Sequence, residues 1–497
     1  MDAVLDSCPQ VRIVATSREA LNVNGEVRWR VPALSMPDPQ GSPTVEVEGS
    51  ESVRLFVERA SQRAPTFALT SGNVEAVAEI CRKLDGIPLA LELAAARVGV
   101  LAVAEIANRL GDSLKLLTGG GRTVMPRQRT LRGALDWSYE LLLGGEKKLF
   151  RRVSVFAGGW TLKASEAVVW GEGGEEGEVL DLLSGLVEKS LVVAEPTAEG
   201  GVRYRLLEPV RQYALAKLKE SGEAETAKRS HAEHFLVLAE EAEPELFGPQ
   251  EVEWWNRLEE EHDNARAALS WSLEGADPEL GLRLAGALRL FWLSRGYYGE
   301  GRRWLEEALA WDGGVSVMAR VKALGAASVV ARRQGDLDRA KGASEEGLIL
   351  SAQAGLRGGY HVAFFTNMLG LISLLRGDPE QATKLAEEGL VLSREANDTE
   401  CIGDSLLLLG HASRSREDYG QAKQFYEQGL VLARESWGGA SLVSSCLNHL
   451  GWMSLREGDL ERATALFEEA AALTREQRSE EFLMPLCNLG WAAVLGG

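Results

Sequence analysis

Two short segments carry residue types that could handle a phosphate-bearing ligand. Val11–Leu21 reads VRIVATSREAL, an apolar, β-branched run consistent with a buried parallel strand and followed by Arg18. That position is the C-terminal edge of the strand, where open α/β sheets bind ligands. A guanidinium there is always charged and forms bidentate bonds to phosphate oxygens. A solvated surface arginine is an equally weighted reading of the residue by itself. Gly86–Arg97 reads GIPLALELAAAR, a turn entering a helix. Pro88 fits the first helical position, and with Gly86 and Leu89 it could form an apolar wall for a planar base. The part that cradles phosphates is missing from the sequence. A phosphate loop needs GxxxxGK[ST], whose amides and lysine surround the β- and γ-phosphates, and the dipeptide Gly-Lys does not occur in this chain. Asp6 in AVLD looks like a Mg²⁺-binding acid but lies too close to the next strand for a parallel crossover. It reads as the end of a helix. ATP hydrolysis by this chain alone is therefore not expected.

Other chemistry is thinner. Cys8, Cys81, Cys401, Cys446 and Cys487 are far apart, without a CxxC pair, and read as buried free thiols. His231 and His234 share a helical face near Glu233, and a packed or solvated pair is a better reading than a metal site. The net charge of −19 argues against general nucleic-acid binding. Residues 121–220 are nearly balanced, with 15 Lys+Arg against 14 Asp+Glu, which permits a DNA contact there without requiring one. No long charge-free apolar run predicts a transmembrane helix, and the acidic start is unlike a signal peptide, so the expected location is cytoplasmic.

The elements that would position these residues can be read in turn. Leu131–Leu142 is amphipathic, a second helix covers 146–156, and Thr161 caps a third. The glycine- and glutamate-rich 171–178 precedes a helix over Val179–Ser190. SLVVAE, the turn PTAEGG and VRYRLL then form a hairpin, and Glu208-Pro209 reads as N-cap and N1 of a last helix through Lys219. Helices followed by a two-stranded wing make a winged helix. From about residue 280 the chain repeats itself. GDLDRAKGASEEGLIL at Gly335 returns as GDPEQATKLAEEGLVL at Gly377, EDYGQAKQFYEQGLVL at Glu417 and GDLERATALFEEAAAL at Gly458, with a weaker copy at Gly296. Each unit parses as two helices joined at a left-handed glycine, with Asp336, Asp378 and Asp459 as N-caps. Ala340, Ala382, Ala422 and Ala463 recur where paired helices would approach closely, and the following Glu-Glu or Glu-Gln pairs face water. One pair cannot bury its apolar face alone, so a stacked superhelix is expected.

The sensor-like strand and the GxP turn, set within CRKLDGIPLALELAAARV, resemble the NB-ARC-type nucleotide switch of STAND signalling ATPases. The repeats resemble tetratricopeptide repeats of the longer kind found in bacterial LuxR/AfsR-like regulators. The resemblance implies a mainly α chain in five parts: a remnant of a P-loop α/β domain (1–48), a helical domain with the GxP motif (49–120), a winged helix (121–222), a helical linker (223–279) and a TPR-like α-solenoid (280–497). It implies that Arg18 is the sensor arginine and that Gly86, Pro88 and Leu89 border the adenine. A Met-His-Asp motif ends the wing in that family; Leu206, Leu207 and Glu208 stand in its place here, so the phosphate-approaching histidine is gone. ADP or ATP would be the cofactor of an intact parent, with no tight binding expected from this chain. A protein or small-molecule inducer would bind the repeats, and self-oligomerisation would follow activation.

Both ends read as truncated: a nucleotide domain entered partway, and a last apolar face, including Trp491, left to fray or aggregate. Two alternatives stay open beside this reading. One is a DNA-binding regulator whose winged helix reads DNA, weakened by Asp181, Glu188 and a single Lys189 on the would-be recognition helix. The other is a scaffold acting through its repeats alone.

Overall fold

The computed structural model describes residues 14–15, 26–27, 29, 31–38, 49–110, 131–170, 177–197, 200–246, 250–311, 313–355, 359–435, 440–477 and 483–496. Arg18, Asp6 and Cys8 lie outside them. The chain is mainly helical and divides into two compact units, Met1–His231 and Ala232–Gly497.

The first unit opens with four short helices, α1 (Glu51–Arg63), α2 (Val74–Lys83), α3 (Pro88–Ala95) and α4 (Val103–Arg109). Val53, Phe56 and Ala60 recur at helical spacing on α1 and are fully buried, as are Val77, Ile80 and Cys81 on α2. Leu91 and its alanine neighbours bury α3 almost all round.

Next come α5 (Leu131–Glu140), α6 (Gly144–Arg152) with a short 3₁₀ turn after it, α7 (Leu162–Trp170) and α8 (Glu178–Glu188). Strands β1 (Val193–Pro196) and β2 (Val202–Arg205) pair antiparallel, with Ala194 opposite Tyr204, and α9 (Glu208–Glu220) follows. The Thr161 hydroxyl accepts from the Ala164 amide at 3.2 Å, the expected cap. Trp160 and Tyr204 exchange two backbone hydrogen bonds of 2.8 Å, which docks the wing on the helices. The buried Trp160 ring stacks on Phe156 with centroids 5.3 Å apart.

Two expectations are corrected here. Of the strand read at Val11–Thr16, only Val14 and Ala15 are described; neither is in a strand and Val14 is 96% exposed. The remaining residues of that strand lie outside the described ones. The N-cap of α9 is Leu207, and Glu208 is already the first helical residue. Its carboxylate turns forward to Arg211 instead of back to the first amides.

The second unit is helical throughout its described residues. The stretch read as a linker forms α10 (Ala224–Glu245), which begins in the first unit, then α11 (Glu251–Glu260) and α12 (His262–Trp271). α13 (Pro278–Ala287), α14 (Arg289–Ser294) and α15 (Tyr298–Leu309) lead into the repeats. These are α16 (Val317–Arg333) with α17 (Leu337–Gln353), α18 (Tyr360–Leu375) with α19 (Pro379–Glu395), α20 (Thr399–Ser415) with α21 (Tyr419–Glu435), and α22 (Ala440–Glu457) with α23 (Leu460–Gln477). α24 (Leu483–Gly496) packs on α23 and leaves Trp491 60% exposed.

The repeat reading holds in detail. Gly335, Gly377 and Gly458 take φ of 79, 85 and 81°. Asp336, Asp378 and Asp459 cap the helices that follow, by accepting from Arg339, Gln381 and Arg462. Ala340, Ala382, Ala422 and Ala463 have no exposed surface, and the glutamate pairs face solvent. The third copy adds a detail: Glu417 takes the left-handed position at φ 62°, and Asp418 caps Gln421. Gly347 leaves room for Phe365 of the next repeat, and Gly389 for Asn367 of the preceding helix in its own repeat; an added Cβ would strike either. The first contact keys α17 to the repeat that follows, and the second lets α18 and α19 pair closely.

The thiols of Cys81, Cys401 and Cys446 are free and buried, whereas Cys487 is exposed, because α24 has no helix beyond it among the described residues. His231 is buried edge-on to Phe156, with centroids 5.2 Å apart. No described helix is long and apolar enough to cross a membrane.

Candidate functional site

The GxP turn and the end of the wing meet in the first unit. Helix α2 ends at Leu84, and the chain reverses through Asp85 and Gly86, both left-handed at φ 49 and 63°. Asp-Gly suits such a turn because aspartate tolerates the left-handed region and glycine has no Cβ to clash. Ile87 caps α3 and Pro88 opens it, as its ring requires. The turn is roofed by an extended strap, residues 31–38: the Leu34 amide donates to the Gly86 carbonyl at 3.1 Å. A Cβ at Gly86 would collide with the Leu34 carbonyl. Ser35 and Glu51 pin the strap to α1 through two reciprocal bonds of 3.1 and 2.9 Å.

Asp85 reaches the wing. Its carboxylate accepts from the Glu208 amide at the start of α9, and the Arg205 guanidinium lies 3.7 Å from its second oxygen. Arg205 also binds Glu195 across the hairpin at 3.0 Å. Burial pushes the Asp85 carboxyl above its ordinary range, while the Glu208 amide and Arg205 pull the other way. Glu208 is held by Arg211 at 2.7 and 2.9 Å and by Gln212 at 3.0 Å. Arg211 in turn donates to the Ser154 carbonyl at 3.3 Å.

Of the residues singled out in the sequence, Gly86 is thus brought beside Glu208. Pro88 is exposed and Leu89 half-buried in the first turn of α3. Leu206 is buried in the winged helix and Leu207 half-buried. Arg18 falls outside the described residues, so its placement against Pro88 is not part of the site drawn here. Asp85, which makes the joint, and Leu34, which roofs it, were not singled out. The Asp-Gly pair was the available signal for the first.

These residues fit a nucleotide only in part. Exposed Pro88 and half-buried Leu89 could lie against a base. Phosphate does not fit the joint: the Gly86 amide is bonded to the Cys81 carbonyl, the nearby guanidinia hold carboxylates, and the central groups are acids. The α9 terminus cannot serve as the histidine-bearing segment would.

The would-be recognition helix α8 presents Leu180, Asp181, Ser184 and Glu188 outward. Lys189, just after it, is engaged with the buried Glu146 carboxylate, which also accepts from the Leu143 amide at 2.8 Å. Phosphate contacts dominate DNA affinity, and among its described residues this helix and its end offer Lys189 alone, already bound to Glu146.

Residues 144–219 match the winged helix-turn-helix domain family, and residues 403–435 and 443–476 match tetratricopeptide repeat families. A Mycobacterium tuberculosis protein named "Putative HTH-type transcriptional regulator" is 44% identical over 309 residues, 62% of this chain and 33% of the relative. An uncharacterized protein of the same species is 40% identical over 235 residues, 47% of this chain and 56% of the relative. The chain spans about a third of the length of the first of these relatives. Among solved structures, a STAND protein with a tetratricopeptide repeat sensor from Pyrococcus horikoshii aligns over 86% of this chain and 60% of its own, at 15% identity and TM-score 0.42. The chain therefore combines a winged helix with tetratricopeptide-type repeats and is homologous to proteins named as transcriptional regulators.

Proposed function

We propose that this chain is the control part of a STAND-type regulatory ATPase that governs transcription, with the winged helix closed on the GxP domain and the repeats serving as the sensing arm. The observation that supports this reading most directly is the Asp85 bridge to Glu208 and Arg205, since it latches the end of the wing to the GxP turn. A switch requires a bistable element, and in this reading the latch supplies its closed state: whatever favours the open state must outweigh these bonds. In the intact parent, ADP or ATP would occupy the nucleotide domain, with Pro88 and Leu89 beside the base. An inducer on the repeats would shift the balance towards opening and self-association. This chain alone would not turn over ATP, because it carries no Gly-Lys phosphate loop.

The test is binding of a fluorescent ADP analogue to this chain and to a version extended upstream through the phosphate-loop region. Binding by the extended protein only, altered by Asp85→Ala, supports the switch. No binding by the extended protein overturns it.

A second reading has its own support in the winged helix-turn-helix match: the domain reads DNA directly. The acidic outer face of α8 and the occupied Lys189 count against it. A gel shift of the full chain with randomised duplex at low salt separates the two, and tight binding would favour DNA readout.

A further inference from the structure

The outer helices of the repeats carry a feature that neither the winged helix nor the GxP turn uses. Fourteen residues after each turn residue (Gly335, Gly377 and Glu417) stands an exposed aliphatic side chain: Ile349, Val391 and Val431, at 56, 55 and 57% exposure. Packing within the array leaves these positions open, and water-facing helix positions ordinarily take polar residues. Instead they form a ladder of β-branched side chains in the same register on α17, α19 and α21.

Beside Val431, a cavity of about 570 Å³ opens between α19 and α21, over α20. Ile402, Leu406, Val431 and Leu432 supply its apolar lining, with Glu427 and Glu435 on one side and Arg394 of α19 on the other. The surroundings are acidic. Glu387, Glu388, Glu427 and Glu435 are exposed and form no ion pair among the described residues. Glu346 and Glu469, at related positions, are neutralised by Arg320 and Arg434. Along α19 and α21, where groove and ladder meet, these four acids outnumber the two cations beside them, Lys384 on α19 and Arg394 in the groove lining.

We propose that this outer ladder and groove bind a basic amphipathic helix of a partner protein, with its aliphatic stripe on Val391, Val431 and the groove and its lysines or arginines over the four glutamates. Apolar anchors at helical spacing and complementary charge are the terms by which such helices are recognised. A second copy of this chain is a poor occupant, because the net charge of −19 sets acid against acid. The inference rests on the reading of the repeats as a partner-binding arm and is independent of the nucleotide reading.

The experiment uses the full chain and three synthetic helical peptides: one with leucines on one face and lysines on the other, a second with the lysines changed to glutamates, and a third with the leucines changed to serines. Affinity is read by fluorescence anisotropy across salt concentrations. The Leu/Lys peptide should bind at least about tenfold more tightly than either control. Val391→Asp with Val431→Asp should abolish that advantage. These side chains are exposed, so circular dichroism should show an unchanged fold. Changing the four glutamates to glutamine should flatten the salt dependence. Equal binding of the Ser/Lys peptide, or affinity indifferent to the ladder substitutions, overturns the proposal. So does a dimer in sedimentation that Val431→Asp dissolves, which would make the ladder a self-association face.

Discussion

Single side chains decide whether the wing is held or loose. Asp85→Ala would leave the Glu208 amide without its acceptor and Arg205 without one of its two carboxylates. A buried donor stripped of its partner costs about 1–3 kcal/mol, so urea unfolding should show a loss in that range, with Asp85→Asn losing less because an acceptor remains. A second residue-scale expectation concerns pH. His411 lies within 2.8 Å of the Tyr426 hydroxyl and against the His449 ring, with Arg414 nearby. Burial, and secondarily Arg414, pulls the His411 imidazole down to about 4, and His449 falls in the same direction. The folded form therefore refuses a proton that the unfolded chain accepts near its ordinary value of about 6.5. The stabilisation is complete above that value and fades as pH falls from there towards 4. Thermal melts of the wild type and His411→Gln at pH 7 and pH 5 isolate the imidazole: the wild type should lose more stability on acidification.

At the scale of elements, α8 tests the two readings of the winged helix. If Lys189 holds Glu146 in place, Lys189→Ala strands a carboxylate with 6% side-chain exposure and destabilises the unit. The cost should be up to about 3 kcal/mol, below the range for fully buried pairs because Lys189 keeps 22% of its own surface in water. DNA retention in a gel shift should not change; a selective loss of DNA binding at unchanged stability would make Lys189 a phosphate ligand. Much of this architecture was legible from residue pattern. The repeats announced themselves because the copies use the same residue types for the same tasks: glycine to turn (Glu417 in the third copy), aspartate to cap, alanine at the contact. The wing was legible from alternating strands around PTAEGG. Glu208 was misplaced by one position because Glu-Pro fits either side of a helix start, and the choice was made by Asp85, 123 residues away. The joint was invisible for the same reason: a contact between distant turns leaves no local periodicity.

At the scale of the whole chain, an array in which each repeat touches mainly its neighbours has a stability that sums locally. Its weakest junction then decides where it opens. Gly335, Gly377 and Gly458 take the left-handed turn without strain, whereas Glu417 takes it with a Cβ, at about 1–2 kcal/mol. Glu417→Gly should recover about 1 kcal/mol. Hydrogen exchange across α20 and α21 should slow accordingly, and exchange at the α18–α19 junction should not change. The glutamate is thus a pinch of strain in one hairpin of the coil, one helix beyond the left-handed Asn397, a residue type that tolerates that region better. On heating, the hairpin between α20 and α21 should loosen ahead of the hairpins that turn on glycine.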